Sequence, residues 1–263
     1  SPLRPPGWTE PLLGPAGTGT QLLAEGRGQW QPGTGGAGAG AGSYRVQGLQ
    51  LDGGARQPAG SRQGAGTAPA WLSARGLSGL LQLDAQGAPR ALQLAPGRVQ
   101  LPGTALNWRT LSWSAGPDGR LSSGDLVVAA ELEAIDVARL LARLQPDMGW
   151  RGDLSVAGQI DVHANGPALD ADVVLARSQG DLSVTDDLAQ GLGLSDLRLA
   201  LGVHGGRWQI AHGLVGRRLG SLVGAVELRN PPGARWPQPG AALQGLVEAR
   251  VSNLGAWGAW VPP

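Results

Sequence analysis

The chain has 263 residues, among them 45 Gly, 20 Pro and no Phe or Cys. So much glycine and proline argues against a helical bundle, and the lack of cysteine excludes disulfides, zinc–thiolate sites and thiol nucleophiles. The 21 basic and 20 acidic residues balance and form no long run of one sign, which does not favour nucleic-acid binding.

The first part of the chain is dominated by Gly, Pro and Ala. Residues 1–43 include an almost unbroken Gly/Ala run from Gly33 to Gly42, a composition that predicts a flexible linker or long loop. No apolar run has the length of a membrane-spanning helix, and Ser1 does not open a signal-like segment. We therefore expect an internal piece of a longer protein.

Residues 44–263 are predicted to form a repetitive, antiparallel β-sheet segment. From about Leu121, apolar residues occupy every second position of several stretches, a period typical of strands with one buried and one solvated face. The glycine pair at 205–206 lies between two such stretches and indicates a tight antiparallel hairpin. The implied register places His212 opposite Leu199.

Two short helices are predicted within this segment, near residues 137–144 and 254–260. The first has Asp136 as its N-cap, carries leucines at helical spacing and ends at Pro146. The second follows Asn253, 117 residues after Asp136, which suggests a module with a period of about 117 residues.

A shorter recurrence is the tripeptide Gly-Asp-Leu. It begins at Gly124, Gly152 and Gly180, so successive copies start 28 residues apart. Each copy stands where a strand is predicted to begin.

The apolar positions of the alternating strands are predicted to share one surface. Each Leu or Ile left in water forgoes about 1.5–3 kcal/mol, and two short helices are too small to cover such a sheet. We therefore expect an all-β fold, an elongated and curved antiparallel sheet that forms an open apolar groove. The predicted groove-lining residues are Leu154, Val156, Ile160, Val162, Leu197, Leu199, Leu201, Leu222, Val226, Leu228, Leu243, Val247 and Val251.

A strand that leads into a short capped helix and a proline occurs at residues 135–146 (IDVARLLARLQP) and again at 251–263 (VSNLGAWGAWVPP). With 149–154 (GWRGDL) and 191–199 (GLGLSDLRL), this pattern resembles the TamB family, an AsmA-related group, over about residues 104–263. The Gly-rich first hundred residues depart from the family, and its membrane anchor and C-terminal domain have no counterpart here.

The resemblance implies a periplasmic segment of an inner-membrane-anchored protein. In such a protein the groove would hold phospholipid acyl chains during transfer between the inner and outer membranes. The resemblance also implies a role in outer-membrane protein assembly with a partner of the Omp85 type.

The titratable residues predict no catalytic, cofactor-binding or metal site. Asp170 and Asp172 share a strand face, and paired carboxylates are what a glycosidase needs, but acids two residues apart on a polar face are usually solvated. His163, His204 and His212 are interpreted as solvent-facing. A carbohydrate-active enzyme thus ranks below another alternative, a closed β-sandwich that serves as an interaction, chaperone or adhesin module without a lipid conduit.

Overall fold

The computed structural model describes residues 20–32, 42–55, 72–101, 103–118, 123–144, 147, 149–183, 191–218, 220–231, 233–238 and 241–252. As predicted, these residues are almost entirely in β-strands, and thirteen of the strands belong to a large antiparallel sheet. The strands are β1 (Thr20–Pro32), β2 (Gly42–Ala55), β3 (Leu72–Leu83), β4 (Pro89–Leu94), β5 (Gly97–Leu101), β6 (Thr104–Ser114), β7 (Asp125–Asp136), β8 (Arg151–Gly152), β9 (Ser155–Asn165), β10 (Ala168–Gln179), β11 (Leu182–Ser183), β12 (Leu194–His204), β13 (Arg207–Gly216), β14 (Gly220–Arg229) and β15 (Leu243–Arg250). The α-helix of the described residues is α1 (Val137–Leu144).

The chain divides into two compact units, residues 1–114 and 115–263. In the first unit the strand order is β1-β2-β3-β4-β6, and β5 pairs with both β3 and β6. In the second unit the order is β7-β9-β10-β12-β13-β14-β15, and β8 pairs with β11 in a separate two-stranded sheet. Most neighbours are consecutive strands, so hairpins and short connections build both units.

Strand β1 lies within residues 1–43, where the composition predicted a linker or long loop. It forms an antiparallel ladder with β2, and aromatic rings cover glycines across this pair. The ring of Tyr44 lies over Gly28, and the ring of Trp30 lies over Gly42. An aromatic side chain above a glycine supplies the packing that the glycine lacks, which explains how so Gly-rich a stretch forms a strand. The run 33–41 lies outside the described residues.

The predicted hairpin between β12 and β13 is confirmed. Gly205 and Gly206 form its two-residue turn with φ angles of 55° and 76°, which other residues adopt only at a cost. His212 lies opposite Leu199, as predicted.

The first predicted helix is also confirmed. The Asp136 Oδ1 atom accepts a hydrogen bond from the Arg139 backbone N–H at 2.9 Å, the geometry of an N-cap. The second predicted helix, at residues 254–260, and Pro146 lie outside the described residues. The period of 117 residues therefore stays a prediction.

Two of the three Gly-Asp-Leu tripeptides meet beside α1. Leu182 pairs with Gly152 where β11 joins β8, and the Asp153 carboxylate accepts a hydrogen bond from the Asp181 N–H at 2.9 Å. The Asp181 carboxylate in turn accepts three backbone N–H bonds. These polar contacts hold the small β8–β11 sheet to its neighbours.

Leu154 belongs to this region and not to a groove. It was predicted to continue the alternation of β9, but it precedes that strand and is only 2% exposed. It packs in a cluster beneath α1. Its N–H donates to the Asp181 carbonyl, and its C=O accepts from the N–H of Val137, the first residue of α1, both at 2.9 Å. The buried members of this α1 cluster are Ala138, Leu154, Leu182, Leu192 and Leu194.

Candidate functional site

Cross-strand pairing brings the apolar positions of seven strands of the second unit to one side. Residues directly opposite in an antiparallel pair point to the same side of the sheet, so one face can be followed from strand to strand. We call this set the apolar face. Its members are Leu126, Val128, Ala130, Leu132, Val156, Gly158, Ile160, Val162, Ala164, Leu169, Ala171, Val173, Leu175, Leu197, Leu199, Leu201, Val203, Trp208, Ile210, His212, Leu214, Leu222, Gly224, Val226, Leu228, Leu243, Gly245, Val247 and Ala249.

The predicted groove-lining residues belong to the apolar face, with Leu154 and Val251 as the exceptions. Leu154 is buried in the α1 cluster, and Val251 follows the end of β15 with 41% of its surface exposed. The register thus collects on one side residues that the sequence could only place strand by strand.

Described residues cover the apolar face only in part. Leu199 on β12 is 40% exposed and Ile210 on β13 is 48% exposed, although both strands have neighbours on either side. A second layer packed on the sheet would bury such positions. The described part of the chain therefore leaves apolar surface in the middle of the sheet accessible.

The two ends of the apolar face differ. At one end Leu197 and Leu214 pack against the α1 cluster. At the other end Trp208 lies beside Trp236, a residue of the loop after β14, with 5.7 Å between the ring centroids. The first end is closed by aliphatic packing, and the second carries aromatic rings.

His212 is an ionisable member of the apolar face. Its ring lies over Gly224, where a Cβ atom would stand 2.8 Å from the imidazole Cε1 atom. The interpretation of all three histidines as solvent-facing is therefore wrong for His212, which is partly buried among apolar neighbours. The predicted pairing of His212 with Leu199, a predicted groove-lining residue, already placed His212 on this face.

The opposite face of the second unit is polar and carries the other two histidines. The His163 Nε2 atom lies 2.8 Å from an Asp125 carboxylate oxygen. His204 lies between two carboxylates, with 3.1 Å from its Nε2 atom to Asp172 and 3.4 Å from its Nδ1 atom to Asp170. Asp170 and Asp172 thus share a face as predicted, and it is the solvated one.

The described residues contain no group of three or more His, Cys, Asp or Glu side chains placed to hold a metal ion. The hydrogen bond between the His204 ring and the Asp172 carboxylate, which accepts it, raises the pKa of His204 above its usual value. The charges of Asp172 and Asp170 act in the same direction, and partial burial opposes them.

We expect this ion pair to make stability depend weakly on pH. A histidine whose pKa is raised by folding stabilises the fold fully below its unfolded pKa of about 6.5. That contribution is lost as the pH rises through the folded pKa. His204→Gln should therefore destabilise the chain more at pH 5.5 than at pH 8, as measured by urea unfolding. Because His204 is largely exposed, the difference should be small, and an equal loss at both pH values would contradict it.

No family model matches the chain, and the searches of curated proteins and of solved structures also found no match. Among the described residues, no helix is long and apolar enough to cross a membrane.

Proposed function

We propose that this chain is a non-catalytic, periplasmic segment of a TamB-like protein. Its apolar face would hold phospholipid acyl chains during transfer between the inner and outer membranes. The same protein would serve outer-membrane protein assembly with a partner of the Omp85 type. The observation that carries the proposal is the apolar face itself, continuous over seven strands and accessible at Leu199 and Ile210.

The chemistry of the apolar face suits an acyl chain. Aliphatic side chains offer no hydrogen bonds, so they stabilise a hydrocarbon through burial alone, at about 0.8 kcal/mol for each methylene group. Such contacts have no preferred direction along the chain. A lipid tail could therefore move along the surface without breaking specific bonds, as transfer requires.

The main alternative, a closed β-sandwich without a lipid conduit, calls for the same residues to be a dry core. Residues of a dry core are usually almost fully buried, whereas 48% of the Ile210 surface is exposed. The accessible centre of the apolar face therefore supports lipid contact over a sandwich core.

Photo-crosslinking can test the proposal, because the two faces offer pairs of positions with equal exposure. On the apolar face Leu199, Ile210 and Val247 are 40%, 48% and 53% exposed. On the polar face Val215, Val174 and Val223 are 39%, 48% and 51% exposed. A photoreactive residue placed at each position should crosslink to phospholipid on the apolar face and not at its matched partner.

Exposure is the same within each pair, so a difference in crosslinking reports which face the lipid occupies. The lipid in the crosslinked product would be identified by mass spectrometry from cells expressing the chain. Equal yields on both faces, or no lipid adduct at any position, would refute the proposal.

A further inference from the structure

A pocket of about 590 Å³ adjoins the aromatic end of the apolar face. The turn between β12 and β13 and the loop after β14 form its walls, with Gly205 and Gly206 from the first and Asn230 from the second. Val203, the last apolar-face residue of β12, also lines it and is itself 1% exposed. We call this cavity the turn pocket. It is thus contiguous with the surface proposed to hold acyl chains.

A buried side chain in the turn pocket lacks a hydrogen-bond partner. Asn230 is 7% exposed, and its Nδ2 atom donates to the carbonyls of Ala234 at 3.1 Å and Arg235 at 3.3 Å. These bonds fix the amide, yet its Oδ1 atom is buried and finds no donor among the described residues. An unpaired buried acceptor is costly, so the pocket favours a ligand that brings a donor.

A second unpaired group lies next to this loop. The Trp208 Nε1 atom is buried without an acceptor among the described residues. Its ring is held beside Trp236, six residues after Asn230 on the same loop. Trp208 does not line the turn pocket, so this donor marks the same end of the sheet as polar without contacting a ligand in the pocket.

The charge of the turn pocket favours an anion. Arg229 and Arg235 line it together with Asp170, but the Asp170 carboxylate is already 3.4 Å from His204. Arg229 makes a long ion pair of 3.8 Å with Glu227, whose carboxylate is held more closely by another arginine. Guanidinium groups bind phosphate well because their donors match its oxygens.

We infer that the turn pocket binds the phosphate head group of a phospholipid whose head group also carries a hydrogen-bond donor. The phosphate would accept from Arg229 and Arg235, and the donor of the head group would serve the Asn230 Oδ1 atom. This inference rests on the proposed function, since it places the head group of a lipid whose tails lie on the apolar face.

The inference distinguishes between common head groups. Ethanolamine ends in an ammonium group and glycerol ends in hydroxyl groups, so both offer donors to Asn230. Choline ends in a trimethylammonium group, which has none. A diacylglycerol lacks the phosphate altogether and can use the apolar face alone.

Isothermal titration of the purified chain with short-chain lipids tests these distinctions. Among lipids with the same tails, we expect phosphatidylethanolamine to bind about fivefold more tightly than phosphatidylcholine, which lacks the donor, as one charge-assisted contact in partly exposed surroundings would give. Phosphatidylcholine should in turn bind more tightly than diacylglycerol, which lacks the phosphate. The variant Arg229→Gln/Arg235→Gln should lose the advantage of the phosphate-bearing lipids over diacylglycerol and keep its affinity for diacylglycerol. Arg198→Gln, which changes an arginine paired with Asp196 outside the pocket, should behave like the unaltered chain.

The lipid series separates the failure of this inference from the failure of the proposed function. Equal affinities for the three lipids would overturn the turn pocket as a head-group site while leaving the apolar face intact. No binding of any lipid would overturn both. Glycerophosphoethanolamine without tails, if it bound as tightly as the intact lipid, would show a site for free phosphates and overturn the lipid assignment. The comparison of lipids on the unaltered chain needs no variant to fold.

Discussion

Leu199→Arg is expected to lower the affinity of the chain for an acyl ligand about a hundredfold. Leu199 lies on an interior strand of the apolar face and is accessible, so an arginine there can reach solvent and the sheet can still form. A ligand that covered the arginine would have to remove a charge from water, which costs several kcal/mol when no partner is present. The measurement is displacement of a fluorescent fatty-acyl probe from the purified variant.

Val174→Arg provides the matched control. Val174 is 48% exposed and lies on the neighbouring strand, beside the residue that pairs with Leu199. It points to the polar face, so the same added charge should leave acyl binding within about twofold. If both variants lost binding equally, the effect would be a general disturbance of the sheet, and the apolar face would not be the binding surface.

The sequence predicted the faces of the second unit well because alternation with period two is a local property. On β12 and β13 the large apolar residues alternate with polar residues, alanine or glycine over most of each strand. The Gly205–Gly206 turn sets the register by geometry alone. The helix α1 was predictable for a similar reason, since Asp136 caps it within one turn.

Strands whose pattern is less regular were harder to predict. Strand β10 carries Val173 and Val174 in succession, one on each face, which interrupts the alternation of apolar and polar residues. Its acids Asp170 and Asp172 drew attention as a possible paired-carboxylate site and not as part of a strand. Its place is decided by partners on either side, β9 and β12, which only the folded chain brings together. Local propensity weighs little against such pairing.

The turn pocket could not be predicted from the sequence. Leu169, Val203 and Asn230 line it from separate parts of the chain with no common spacing. They meet because β10 pairs with β12 and the loop after β14 folds back to the β12–β13 turn. The bond from the Asn230 N–H to the Gly206 carbonyl, at 2.8 Å, fixes that approach. A buried acceptor without a donor is visible only when every neighbour is in place.

The polar contacts near α1 and the apolar face are physically linked. The α1 cluster packs against Leu197 and Leu214, which belong to the apolar face. Three backbone N–H groups of this region donate to one carboxylate, that of Asp181. Closure of this end of the apolar face therefore depends in part on a side chain outside the apolar face.

Asp181→Ala is expected to reduce the free energy of unfolding by about 2–4 kcal/mol. The Asp181 Oδ1 atom accepts hydrogen bonds from the N–H groups of Leu182 at 2.9 Å and Leu194 at 3.1 Å, and its Oδ2 atom accepts one from Gly193 at 2.8 Å. Alanine would leave three donors without this acceptor, and each unpaired donor costs about 1–3 kcal/mol when buried, less where water can reach it. Urea unfolding followed by circular dichroism measures the loss.

Asp196→Ala is the matched control for this stability measurement. Asp196 is about half exposed, and its carboxylate lies 3.3 Å from the exposed Arg198 guanidinium. Such a pair contributes little, so its loss should change stability by less than about 1 kcal/mol. Equal losses for the two variants would mean that Asp181 is an ordinary surface acid. A selective loss for Asp181→Ala would show that backbone donors, collected by one carboxylate, hold the closed end of the apolar face in place.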